Sequence, residues 1–210
     1  MKGDIPMQNL FLTSSGLNEN TSKIFWRSIG KKPTDTKMIF VPSAAIQNDS
    51  AREGIAVCVE RLLNMGISLK NILLYDLALL LTDGYQRTYS GYIEKIPSQF
   101  RLMTAQELNQ YDGIVFCGGN ARVLLDEINR TGLGKPLKQA VENGLVYLGI
   151  SAGSMIAAGN FGDGLGFLTN PLLPHAENFF SCEKLTDERT IELADGQVLW
   201  IHGNTKEIIY

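Results

Sequence analysis

The sequence predicts an α/β fold on a mostly parallel sheet, and three observations carry that expectation. Short β-rich runs alternate with helix-like segments, the rhythm of βαβ units. The run Gly113-Ile114-Val115-Phe116-Cys117 is apolar throughout, as a strand buried on both faces must be. The 210 residues suffice for one sizeable core and are a tight fit for two, so residues 1–210 are read as one α/β domain.

The elements follow in order. Asn9 to Thr13 is the first strand and Met38 to Pro42 the second. Ser50-Ala51-Arg52-Glu53 has the spacing of a capping box, in which hydroxyl and carboxylate satisfy orphan amides at a helix start. Ile55, Val59, Leu62 and Leu63 continue that helix as an apolar face, and Gly66 stops it. Asn71 to Leu77 is a third strand. Gly84 to Phe100, with Tyr85, Tyr89 and Tyr92 among polar residues, has no clear period; it reads as a surface excursion packed by its own tyrosines, or else as a lid. Thr104 to Glu107 is a second capping box before a short helix. Ala121 to Arg130 and Lys135 to Asn143 are helical, and Leu145 to Leu148 is the strand that follows. Thr190 to Leu193, Gln197 to His202 and Glu207 to Tyr210 read as strands, the first two joined through Asp195-Gly196 as a hairpin.

Composition narrows the function classes. With 44% hydrophobic and 20% charged residues and a net charge of -3, the chain reads as an ordinary globular protein, and its scattered lysines and arginines offer no nucleic-acid or membrane-binding patch. The start carries no signal-peptide core and no apolar run approaches a membrane span, so a cytoplasmic location is expected. Cys58, Cys117 and Cys182 are too few and too widely spaced for a disulfide framework or a zinc site, and read as reduced thiols.

The chemistry centres on Gly149-Ile150-Ser151-Ala152-Gly153. A strand that ends in G-x-S-x-G and enters a helix must turn sharply, presenting the serine on a strained backbone, while a Cβ at either glycine would strike neighbouring backbone. Gly118-Gly119-Asn120, between the all-apolar strand and the Ala121 helix, leaves amides free for an oxyanion or a phosphate; the lysine of a P-loop and the full dinucleotide fingerprint are both missing. A serine nucleophile needs a base, and the chain has two histidines. His202 as base, with the acid between it and Ser151, would follow the order of the α/β-hydrolases. His175 as base puts the acid beyond it: Asp195 is the natural candidate, with Asp187 and Asp163 competing, although Asp163 sits in a glycine-rich turn that it can cap itself.

Cys117-Gly118-Gly119-Asn120, the elbow about thirty residues later, and Leu173-Pro174-His175 beyond it together resemble the aspartyl dipeptidase (dipeptidase E) and cyanophycinase family of serine peptidases. Asn9 to Ser15 and Asp195 to Leu199 are similar too, so the likeness runs nearly the whole length. The resemblance implies a flavodoxin-like three-layer α/β sandwich, similar to the class I glutamine amidotransferases with serine in place of their cysteine. It also implies cofactor-free and metal-free hydrolysis of a short peptide near an N-terminal acidic residue. By position, Ser151 matches the nucleophile, His175 the base, and Asp195 the place where a glutamate usually completes the triad. Gly119 and Ala152 would supply the oxyanion-hole amides, and Asn120 would border the substrate. Cys117 breaks the family glycine triplet, and Ser154 stands where alanine is usual. In relatives the stretch after His175 often carries an arginine for the substrate carboxylate; here Arg189 and Lys184 are the cations available. A non-catalytic binding protein of the same fold and a small-substrate esterase or amidase are the alternatives, and a homodimer stays open.

Overall fold

A computed structural model describes residues 8–46, 49–81, 84, 88, 91, 95–178 and 190–210, with Ser50 described in its backbone alone. Nine strands are described: β1 (Asn9–Thr13), β2 (Met38–Val41), β3 (Ile72–Leu74), β4 (Gly113–Phe116), β5 (Val146–Ile150), β6 (Leu172–Pro174), β7 (Ile191–Leu193), β8 (Val198–His202) and β9 (Thr205–Ile209). Seven of them form one sheet in the order β3-β2-β4-β5-β1-β8-β9. The five from β3 to β1 are parallel, and β8 and β9 continue the sheet antiparallel.

The strands are apolar at successive positions because both faces are covered. Leu10, Leu12, Ile39, Val41, Ile114, Phe116 and Tyr147 join one core cluster. Phe11, Met38, Phe40, Val115, Cys117, Val146 and Leu148 alternate with them into a second cluster on the opposite face. The helices α1 (Glu19–Ile29) and α2 (Asp49–Asn64) cover that second face with Phe25 and Leu62. The helices α3 (Ala105–Leu108), α4 (Ala121–Thr131), α5 (Gly134–Glu142) and α6 (Ala152–Ala157) cover the first. The result is the three-layer α/β sandwich with a mostly parallel central sheet that the sequence leads one to expect.

Several local expectations change. Helix α1 was not visible in the sequence pattern; Asn18 caps it, with its side chain accepting the Thr21 amide while the Thr21 hydroxyl accepts the Asn18 amide. The third strand is shorter than expected, since single helical turns occupy Leu69–Asn71 and Leu77–Leu79 at its two ends. Leu63 turns outward and is exposed, whereas Leu62 is buried. Asp195-Gly196 is a turn, closed by the Gln197 amide donating to the Ala194 carbonyl, but it does not make a hairpin. Its two strands diverge: β7 pairs in parallel with β6 in a separate two-stranded sheet, and β8 joins the main sheet beside β1. The tyrosines of the 84–100 stretch, together with Cys182, Lys184, Asp187 and Arg189, lie outside the described residues, as does the side chain of Ser50.

The second capping box forms as expected. The Thr104 hydroxyl accepts the Glu107 amide at 3.2 Å, and Glu107 accepts the Thr104 amide at 2.9 Å. Glu107 also takes a two-point ion pair from Arg101, at 2.6 and 3.0 Å. The Arg101 hydrogen bonds, with smaller help from Thr104 and opposed by desolvation, bring its carboxyl down to about 2. A depressed carboxylate stabilises the fold above its ordinary value, and that contribution disappears as pH falls through the depressed one. Glu107→Gln is therefore expected to cost about 1–3 kcal/mol at neutral pH, a loss that shrinks between roughly pH 4.5 and pH 2. Urea melts of both forms across that range provide the check.

Candidate active site

The three adjacent strands β4, β5 and β1 each end on a piece of the site, at the carboxyl edge where open parallel sheets place their ligands. After β5 comes Ser151, with φ 48° and ψ -103°, the strained conformation expected of an elbow. Both flanking glycines are required by space. A Cβ on Gly149 would lie 2.7 Å from the Gly153 carbonyl carbon, and one on Gly153 would lie 2.6 Å from the Phe116 oxygen. The buried Tyr147 hydroxyl donates to the Gly153 oxygen at 2.7 Å, and Ser154 Oγ accepts the Thr13 amide at 2.8 Å. These bonds pin the first turn of α6 against β1 and β5. Thr13 also accepts the Ser151 amide at 3.0 Å.

After β4 the chain turns through Gly118 and Gly119 directly against the elbow. A Cβ on Gly118 would touch that of Ser151 at 3.5 Å. Gly119 has φ +139°, and its Cβ would fall 2.3 Å from the Ala44 oxygen, which approaches that closely because it accepts the Asn120 amide at 2.8 Å. Among the described residues, neither the Gly119 nor the Ala152 amide donates a hydrogen bond. The Asn120 side-chain oxygen caps α4, accepting the amides of Arg122 and Val123.

The small sheet delivers the remaining groups. Pro174 pairs with Leu193, so His175 and Asp195 emerge side by side just past the two parallel strands. His175 Nε2 lies 3.2 Å from Ser151 Oγ, and its Nδ1 lies 2.6 Å from Asp195 Oδ1. Aspartate thus reaches the imidazole. Its turn is held close to β1: Ser15 Oγ accepts the Gly196 amide, Asn18 donates to the Gly196 carbonyl, and Glu177 accepts the Asp195 amide.

Ser14, fully buried just past β1, is the residue that sequence reasoning missed. Its Oγ donates to Asp195 Oδ1 at 2.6 Å and accepts the His175 amide at 2.8 Å. It therefore anchors both members of the pair, including a histidine whose φ is +58°. The Ser14 hydrogen bond holds the Asp195 carboxyl below its ordinary range, with smaller contributions from His175 and Ser15 and some opposition from desolvation. An anionic acceptor fixes the imidazole proton on Nδ1, which leaves the Nε2 lone pair facing the hydroxyl. The available signal was position: Thr13-Ser14-Ser15 is a polar run at the carboxyl end of an apolar strand.

The other candidates lie elsewhere. His202 pairs with Asn9 at the opposite end of β1, four residues or roughly 13 Å from the site edge. It stacks on Trp200 and contacts Glu207. Asp163 accepts a bond from Asn129 at 2.9 Å. Among the described residues no cluster of three or more histidine, cysteine or acidic side chains could hold a metal, and no helix is long and apolar enough to cross a membrane.

A mostly parallel α/β sandwich with a serine elbow, an abutting imidazole and a buried-serine-anchored carboxylate defines a hydrolase-like class of protein. The chain belongs to peptidase family S51, whose model matches residues 95–209, more than half of its length. A protein assigned as peptidase E from Listeria monocytogenes EGD-e shares the fold, with a TM-score of 0.65 at 21% identity over 97% of this chain and 98% of the other. A peptidase from an acI-B1 actinobacterium does so at 0.64 and 16%, over 100% and 90%. Shorter matches reach the pyridoxal 5'-phosphate synthase subunit PdxT of Pyrococcus furiosus, 40% identical over 53 residues, or 25% of this chain and 27% of the relative. Another is an uncharacterised peptidase of Pasteurella multocida, 41% identical over 54 residues and 26% of each chain. The chain thus spans about a quarter of the length of the curated relatives it matches.

Proposed function

We propose that the protein is a serine peptidase that hydrolyses short peptides through Ser151, His175 and Asp195, with an N-terminal acidic residue as the preferred substrate feature. The observation that carries this reading is the continuous chain from Asp195 Oδ1 to His175 Nδ1 at 2.6 Å and from His175 Nε2 to Ser151 Oγ at 3.2 Å. His175 takes the hydroxyl proton as Oγ attacks the scissile carbonyl, and Asp195 stabilises the imidazolium that forms. The amides of Gly119 and Ala152 receive the oxyanion, each worth about 10²–10³ in rate where such donors have been removed. His175 then returns the proton to the leaving amine and activates the water that releases the acyl-enzyme. The acidic preference rests on the family resemblance.

A fluorophosphonate tests the reading, since it modifies a serine only where the hydroxyl is activated. Labelling at Ser151 that disappears in Ser151→Ala is the expected result, together with turnover of dipeptides led by aspartate in preference to alanine. A folded protein that resists the reagent is a binding module instead. Labelling accompanied by turnover of esters and no dipeptide points to the small-substrate esterase.

A further inference from the structure

Outside the triad, the structure brings together two side chains that are chemically capable of reacting with each other. Cys58, half-buried on the inner face of α2, has its sulfur 3.6 Å from that of Cys117, which is 2% exposed at the end of β4. Cys117 directly precedes the Gly118-Gly119 turn, and Arg61 sits one helical turn beyond Cys58, where its guanidinium donates to the Ser15 carbonyl. The pair therefore bridges the outer helix and the strand end that carries the proposed Gly119 oxyanion amide. Nothing in the reading of the protein as a peptidase uses it.

We propose that Cys58 and Cys117 are a redox modification site that closes to a reversible disulfide when the protein meets a peroxide. A disulfide needs an S–S distance near 2.05 Å, so the sulfurs must approach by roughly 1.5 Å, within reach of side-chain rotation in a helix packed on a strand. The roles of the two thiols are unequal. The Cys117 hydrogen bond, and to a lesser degree the Arg61 charge, hold the Cys58 thiol below its ordinary value against the opposing effect of burial. The hydrogen bond with Cys58 and burial push Cys117 upward, and Cys58 is the more exposed of the two and lies one helical turn from the Arg61 guanidinium, so Cys58 is the sulfur that meets the peroxide.

The Cys58 thiolate displaces water from hydrogen peroxide, forming an S–O bond as the O–O bond breaks and a proton is taken up. The Cys117 sulfur then attacks the sulfenic sulfur; the S–S bond forms, the S–O bond breaks, and the departing hydroxide takes the Cys117 proton as a second water. Two thiols lose two electrons and one peroxide becomes two waters. The product ties α2 to the Gly118-Gly119 turn, and a thiol reductant restores both sulfhydryls.

The test uses the full chain and reads mass, so it is independent of whether the protein is a peptidase. Wild-type protein and Cys182→Ser are exposed to graded hydrogen peroxide, unfolded without reductant, alkylated with iodoacetamide and weighed intact and as tryptic peptides. The expected result in both is loss of two hydrogens and two alkylation sites, a linked peptide joining Cys58 to Cys117, and full reversal by dithiothreitol. In Cys58→Ser the same dose should leave Cys117 as an alkylatable thiol. Stepwise oxygen addition at Cys58 with Cys117 still alkylated, a linkage of Cys58 to Cys182 in the wild type, or two unchanged thiols would each overturn the proposal.

Discussion

Ser151→Ala is expected to lower kcat/KM for a cleaved dipeptide by at least about 10⁴-fold while leaving the fold intact. The size follows from the proposed role: a hydroxyl that forms the covalent bond leaves, on its loss, only the oxyanion amides and substrate positioning. The intact fold follows from geometry. Alanine keeps the Cβ that already sits at φ 48°, and the hydrogen bond that Ser151 Oγ loses is the one to the ring of His175. The melting temperature should therefore stay about level. His202→Ala is the matched control. It removes a ring stacked 3.9 Å from Trp200 and a 3.1 Å contact to Glu207 at the far end of the sheet, for about 1 kcal/mol of stability and no change in activity. Equal losses in the two variants, or more than a tenth of activity surviving in Ser151→Ala, would remove the serine from the mechanism.

The contrast between these two positions shows where sequence pattern is informative. The parallel strands were legible because burial on both faces leaves each of them apolar at nearly every position, as at Gly113 to Phe116. Helix α1 was not, because it opens with Glu19-Asn20-Thr21-Ser22 and fully buries only Thr21 and Phe25, and its capping box uses Thr21 where the recognisable pattern has a glutamate or glutamine. The small sheet was misread for a different reason. Asp195-Gly196 carries the chemistry of a tight turn, and the turn does form, but local pattern says nothing about which partner a three-residue strand will choose.

The candidate site divides along the same line. Gly149, Ser151 and Gly153 announce themselves, because a short strained junction constrains several consecutive residues at once. His175 was accessible by scarcity, as one of two histidines. Ser14 offered only its position at a strand end. A serine at a strand end has many uses, and this one acquires its role only because β1 lies beside β5 and β8 draws the Asp195 turn over it. The thiol pair is equally tertiary: 59 residues separate Cys58 from Cys117, and only the packing of α2 on the sheet brings them together.

Asp195→Asn should reduce kcat by about 10³–10⁴ with KM little changed, because it keeps the shape of the acid and removes what the acid does. Asp195 Oδ1 accepts two hydrogens, from His175 Nδ1 and Ser14 Oγ, each at 2.6 Å. Asparagine can still offer an oxygen there, but it carries no charge to stabilise the imidazolium. When its amide turns the other way, its N–H donates to Nδ1 and forces the ring proton onto Nε2, where it blocks proton transfer from Ser151. Ser14→Ala removes the largest influence that keeps the carboxyl ionised at low pH. Asp195 is charged above its depressed value and is neutralised as pH falls through it; loss of the Ser14 bond raises that value, so the Asp195 carboxyl, followed by NMR, titrates at higher pH in the variant. The same substitution strips the acceptor from the His175 amide, and a fall in kcat of about 10–100-fold is expected. A purely structural serine would lower the folded fraction and leave the Asp195 titration in place. If Asp195→Asn retains more than a third of the wild-type kcat, or Ser14→Ala leaves both kcat and the Asp195 titration unchanged, then the carboxylate and its anchor take no part in orienting the base.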